Sequence, residues 1–213
     1  MARSIIYRSA LLYRLLMVAL YGRSSRARHR AIADVIPDGS EAVELCCGPG
    51  ILYSTYLRPR NVRYTGLDIN EGFIARIAAR GATGIVRDLS RDEPLPAADY
   101  VIMQASLYHF LPDGVQPVLK RMTAAARKAV IVAEPVVNVA SSQTPIVAWL
   151  AKVLTDPGTG KHTHRFDEAG LDAAFKALGL PIERTFFIQG GREKVDIVNV
   201  QAAALGAKNE GAR

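Results

Sequence analysis

With 213 residues, 49% of them hydrophobic and 22% charged, the chain is long enough to bury a substantial core in a single domain and too apolar for a disordered protein. Its two cysteines, Cys46 and Cys47, are adjacent, which places them poorly for an ordinary disulfide, and no Cys/His cluster has zinc spacing, so no metal site is expected. The formal charge of +7 is concentrated at one end: residues 1–37 hold seven arginines against Asp34 alone, +6, leaving +1 for the remainder. The body therefore lacks the positive charge that many phosphate contacts require, and a nucleic-acid substrate is disfavoured.

In chain order, Ser4 to Tyr21 reads as a helix stopped by Gly22. Its apolar residues surround most of the circumference, and the uncharged run from Leu15 to Gly22 is far shorter than the roughly 20 residues of a membrane span. Arg14 interrupts the apolar stretch and no small-residue cleavage site follows, which argues against a signal peptide. Two readings stand: a helix roofing a ligand pocket, or a peripheral membrane contact made by residues 1–30 with Arg23, Arg26, Arg28 and Arg30. His29, set among these arginines, reads as a solvated surface residue. Arg26 to Ile36 forms a second helix, ended by Pro37-Asp38-Gly39.

An apolar strand then runs into Glu44-Leu45-Cys46-Cys47-Gly48-Pro49-Gly50 and a helix starts at Ile51. Gly48 and Gly50 permit backbone angles and close ligand approach that a side chain would prevent. A second strand ends in Asp68, 20 residues beyond Gly48, followed by Ile69 and Asn70. A third, Gly84 to Leu89, ends in Asp88, and a fourth, Ala98 to Ser106, ends in Gln104-Ala105-Ser106. Successive strands with polar carboxyl ends describe the ligand crevice of an open α/β sheet. The dinucleotide fingerprint needs a glycine three residues after Gly50, where this chain has Tyr53, and the Gly-Lys-Ser/Thr of a phosphate loop is absent.

This spacing resembles the class I S-adenosylmethionine (SAM)-dependent methyltransferases, whose first motif is acidic-x-Gly-x-Gly-x-Gly; Cys46 stands where that motif has glycine. The resemblance covers Ala42 to Glu134. It implies a doubly wound, Rossmann-like α/β domain over 38–201 with a mostly parallel seven-stranded sheet and an antiparallel last strand. It further implies that SAM, leaving as S-adenosylhomocysteine (SAH), is held by Glu44, Cys46, Gly48, Pro49 and Gly50 at its methionine part. Asp68, with Ile69 and Asn70, would take the ribose, Asp88 and Leu89 the adenine, and Gln104 and Ala105 would lie nearest the methyl. The Asn/Asp-Pro-Pro-aromatic motif of base-methylating relatives is missing at Gln104 to Tyr108, which points to a small or lipid-like acceptor.

Downstream, Val115 to Ala125 is a helix with Leu119 and Met122 inward, and Ala129 to Pro135 is a buried strand. Residues 138–166 exceed a plain connection, and their apolar run from Pro145 to Leu154 is read as a lid helix. Asp167 caps a helix over Glu168 to Leu178; Ile182 to Gln189 and Val195 to Gln201 are closing strands, and 202–213 a tail. Methyl transfer by direct displacement needs a base only if the acceptor must lose a proton. Tyr108, His109, His162 and His164 are the candidate catalytic groups, with packing beneath the cofactor as the other role for His109. Two alternatives remain open beside the small-molecule enzyme: one working on lipid or quinone-type acceptors at a membrane surface, and a SAM-binding protein without catalysis. The location follows as cytoplasmic or peripheral at the inner membrane face; oligomeric state is not legible.

Overall fold

The computed structural model describes residues 25–136, 165–188 and 191–201. The proposed N-terminal helix, the lid helix, His162, His164 and the tail lie outside them. Seven strands form one sheet: β1 (Glu41–Leu45), β2 (Arg63–Asp68), β3 (Thr83–Val86), β4 (Ala98–Gln104), β5 (Ala126–Pro135), β6 (Ile182–Phe187) and β7 (Glu193–Asn199), in the order β3-β2-β1-β4-β5-β7-β6. Pairings among β1 to β5 are parallel, and β7 runs antiparallel to both β5 and β6. This is the doubly wound arrangement expected, with the antiparallel strand inserted last.

Alternation along each strand divides the core into two layers. Val43, Leu45, Val101, Met103, Val130 and Val132 face one side, under α4 (Val115–Ala125) and α5 (Glu168–Lys176). Ala42, Tyr64, Tyr100, Ile102 and Ile131 face the other, under α1 (25–35), α2 (51–60) and α3 (Glu71–Ala78). Helix α1 docks because Arg28, Ile32 and Ile36, with His29 and Ala33, recur at helical spacing on one buried stripe. Helix α2 begins wide over Tyr53–Leu57 and tightens into a 3₁₀ turn over Arg58–Arg60, where Pro59 cannot donate to a continued ladder. Asn70 caps α3 by accepting from the Gly72 and Phe73 N–H groups, and Asp167 caps α5 through the Gly170 N–H.

Several boundaries differ from the sequence reading: β6 ends at Phe187, β7 runs over Glu193–Asn199 and α5 ends at Lys176, and three more move polar groups. Strand β3 stops at Val86, so Asp88 lies beyond it, in a turn where its Oδ1 accepts from the Ser90 N–H and hydroxyl at 2.9 and 2.7 Å. Strand β4 stops at Gln104 because Ala105 turns into the left-handed region, φ +48. Strand β5 starts earlier, at Ala126, and carries Arg127 and Lys128 to the amino edge of the sheet, where both pair with Asp99.

Gly50 fixes how α3 meets the turn after β1. A Cβ built there would lie 2.7 Å from Cγ1 of the fully buried Ile77, and φ is +68. At Gly48 a Cβ would meet nothing within 4 Å, and only its φ of +54 opposes a side chain. Gly50→Ala should therefore destabilise by about 2–4 kcal/mol and Gly48→Ala by about 1–2 kcal/mol. Urea unfolding of the two variants checks this, and equal losses would show that Ile77 does not set the limit.

Candidate functional site

The loop after β1 turns on three residues of positive φ: Cys46 (+52), Gly48 (+54) and Gly50 (+68). Two hydrogen bonds tie it to β2. Cys47 N–H donates to the Leu67 carbonyl at 3.0 Å, extending the parallel ladder, and Gly48 N–H donates to Asp68 Oδ2 at 2.9 Å. Asp68 Oδ1 accepts from the Asn70 N–H at 2.9 Å. Burial raises the Asp68 pKa, while the N–H groups of Asn70, Gly48 and Ile69 hold it down. The carboxylate thus stands oriented at the tip of β2 beside the glycine turn. Ile69, 59% exposed, is its apolar neighbour, and the open space at Gly48 lies over the turn. Arg80, absent from the sequence reading of the site, donates to the Pro49 carbonyl at 3.3 Å.

Asp88 is half-buried and held by Ser90, whose hydrogen bonds keep its carboxyl below the usual range. Leu89 is buried in the core layer under α4. Past β4, Tyr108 and His109 sit on a short 3₁₀ turn, Leu107–Phe110, with ring centroids 4.1 Å apart. The Arg165 guanidinium lies 3.8 Å over the Tyr108 ring. So the glycine turn, Asp68, Gln104, Ala105 and the Tyr108–His109 pair line up along the carboxyl ends of β1, β2 and β4.

Glu44 and Gln104 face the α1 side and are buried. Tyr64 hydroxyl donates to Glu44 Oε2 and the Gln104 amide to Glu44 Oε1. Arg28 Nε donates to Gln104 Oε1 at 3.0 Å, and its Nη1 pairs with Glu193 Oε2 at 2.9 Å. Arg28, one of the arginines that supported the membrane-contact alternative in the sequence, is 4% exposed and belongs to this network. His29, expected in solvent, is also buried, beside Tyr56. The signal that would have found both is their place on the Ile32–Ile36 stripe of α1. Glu134, at the end of β5, was not singled out either; it is fully buried, and its Oε1 accepts from the Ser106 and Leu107 N–H groups at 2.7 Å each. Among the described residues no group of three or more His, Cys, Asp or Glu could hold a metal, and no helix is long and apolar enough to cross a membrane.

The family model described as methionine biosynthesis protein MetW matches residues 26–139. No curated protein sequence matches the chain. The fold is similar to magnesium protoporphyrin IX methyltransferase (ChlM) of Synechocystis PCC 6803, solved with bound SAH: TM-score 0.65, 14% identity, covering 85% of each chain. It is also similar to a methyltransferase of Haloferax volcanii solved with the Trm112 methyltransferase activator (TM-score 0.68, 15% identity, 94% of this chain and 99% of that one). A TehB-like SAM-dependent methyltransferase of Corynebacterium glutamicum ATCC 13032 Kitasato gives TM-score 0.58 at 18% identity, over 81% of this chain and 86% of its own. The architecture is that of the Rossmann-like methyltransferases.

Buried titratable groups near the cleft pull stability in opposite directions with pH. Burial, and then the Arg28 charge, push the His29 pKa from 6.5 down to about 3, so the folded protein binds fewer protons there; this stability is present above pH 6.5 and lost as pH falls. Burial pushes Glu44 and Glu134 up to about 7, so their contribution is present at low pH and lost as pH rises from about 4.5 through 7. Replacing the histidine isolates the first effect. On going from pH 7 to pH 5, the change in stability of His29→Gln should be more favourable than that of the wild type by up to about 2 kcal/mol. Urea unfolding at the two pH values measures it; identical pH dependence would mean that His29 titrates normally.

Proposed function

Because the chain belongs to the family of the methionine biosynthesis protein MetW, we propose that it transfers a methyl group from SAM to a small, apolar or lipid-like acceptor. The observation that carries this reading is the grip of Gly48 N–H on Asp68 Oδ2, which sets an oriented carboxylate beside an open glycine turn. The residues suit an adenosyl group. Asp68 keeps lone pairs for vicinal hydroxyls, Ile69 offers an apolar face to a flat ring, and Gly48 leaves room for a chain to pass close to the backbone. When bound, SAM supplies an electrophilic methyl on a sulfonium. Gly48, Pro49 and Gly50 would border its amino-acid end, and Asp68 would fix the sugar, with Asp88 and Leu89 toward the base. Gln104 and Ala105 would border the reacting end. His109 would accept a proton from a hydroxyl acceptor; an acceptor that loses no proton would need only the packing of Tyr108 and His109.

A membrane-surface version of this chemistry draws support from Arg26 and Arg30, which are exposed and one helical turn apart on α1. Flotation with anionic vesicles checks it: Arg26→Glu with Arg30→Glu should reduce wild-type binding, whereas a wild type that stays off the vesicles would remove the membrane version.

Calorimetric titration with SAM and SAH tests the main reading, with saturable one-to-one binding expected and no response to NAD. Asp68→Ala should weaken SAH binding by roughly 1.5–3 kcal/mol. A wild type that ignores SAM and SAH would defeat the proposal. Intact SAM binding with no SAH formed across hydroxyl, amine, thiol and quinone-type acceptors would favour the non-catalytic alternative.

A further inference from the structure

Three successive N–H groups of the turn after β4 point at β5. Ala105 N–H donates to the Ala133 carbonyl, and those of Ser106 and Leu107 to the single oxygen Glu134 Oε1, all at 2.7 Å. Consecutive N–H groups converging after a residue of positive φ, here Ala105 at +48, form an anion-binding concavity. In this chain the acceptor that fills it is internal, the Glu134 carboxyl oxygen. Glu134 is fully buried, lies on the same sheet face as Val130 and Val132, and its Oε2 has no partner among the described residues. A carboxylate in that position is costly to bury, and the two short N–H contacts lower that cost, with the Arg28 charge and the Tyr108 N–H adding to them. The turn it grips leads directly into Leu107–Phe110, which carries Tyr108 and His109, and Ser106 Oγ closes back on the Gln104 carbonyl at 3.0 Å.

We propose that Glu134 is a positioning residue: it clamps the Ala105–Leu107 turn from behind and thereby sets Gln104, Tyr108 and His109 along the cleft. The cofactor part of this inference rests on the SAM reading above; the clamp itself does not. Without the Oε1 acceptor the turn keeps its bonds from Ala105 N–H to Ala133, from Ser106 Oγ to Gln104 and from His109 N–H to Ser106, but the Ser106 and Leu107 N–H groups lose theirs, and the Tyr108–His109 pair loses its fixed placement. Glutamine retains a carbonyl oxygen at the same reach, so Glu134→Gln is the conservative rescue.

Amide hydrogen exchange in the full chain, read by NMR, tests the clamp. Glu134→Ala should speed exchange at Ser106 and Leu107 by about tenfold or more, with little change at distant core amides such as Ile102, and Glu134→Gln should restore most of the protection. In parallel, the SAH dissociation constant should rise about tenfold in Glu134→Ala and stay near the wild-type value in Glu134→Gln. Unchanged exchange at the two amides, or equal impairment by Ala and Gln, overturns the proposal. If Glu134→Ala does not fold, Glu134→Asp keeps the charge but withdraws the oxygens by one methylene; it should also speed exchange at the same two amides, and a wild-type rate there overturns the clamp equally. Absence of SAH binding by the wild type would remove the cofactor reading while leaving the exchange comparison to decide the role of Glu134.

Discussion

The hydrogen bond from Gly48 N–H to Asp68 Oδ2 expresses the constraint on which the cleft depends. A parallel sheet ends in carbonyls and abrupt turns at its carboxyl edge, and the N–H groups of those turns have no strand to pair with. Here acidic side chains from neighbouring strands take them. Asp68 of β2 holds the loop after β1, and Glu134 of β5 holds the loop after β4. Glu44 of β1 does the related task one layer down, joining Tyr64 of β2 to Gln104 of β4. The same carboxylates that shape the turns give the edge its polarity.

The buried carboxyl groups of Glu44 and Glu134, with the partly buried Asp68, would repel without compensation. Arg28 provides it from outside the sheet. Its pairing with Glu193 and its bond to Gln104 bring a cation next to Glu44, and its charge opposes the rise in pKa that burial imposes on both Glu44 and Glu134. Because Arg28 belongs to α1 and Glu193 begins β7, the ion pair also links the helix preceding the sheet to its last-inserted strand. An ion pair this deep contributes little net stability on its own, but leaving either partner alone costs about 3–5 kcal/mol. Its effect is to fix where α1 lies against the cleft.

The strands and the glycine turn were legible because period and punctuation carry them: apolar runs ending in Glu44, Asp68 and Gln104, and glycines at 48 and 50. The helix-free passage from β3 to β4 was legible through Pro94 and Pro96. Arg28 and His29 were misread because charge was counted by segment rather than by helix phase; their spacing from Ile32 and Ala33 places them inward. Glu134 could not be singled out from its apolar run, since its task depends on the β4–β5 register that sets Ala133 opposite Gln104. Asp88 was placed on a strand because the apolar run continues past it, whereas its side chain bonds locally to Ser90 and ends the extended backbone.

Cys46 shows how the turn tolerates a departure from glycine. Its φ of +52 carries a Cβ penalty of about 1–2 kcal/mol, and its side chain recovers part of this by packing, half-buried, against the core layer under α4. Burial raises the Cys46 thiol pKa, and the negative Asp68 and Glu134 raise it further; Cys47 is raised likewise by burial and by Glu44. Both sulfurs therefore stay protonated at neutral pH and are poor nucleophiles despite their place in the glycine turn. The second cysteine in turn keeps Gly66 bare, because a Cβ there would lie 2.9 Å from the Cys47 Sγ. Adjacent thiols in a glycine turn invite a covalent or redox reading, but their surroundings make them packing atoms.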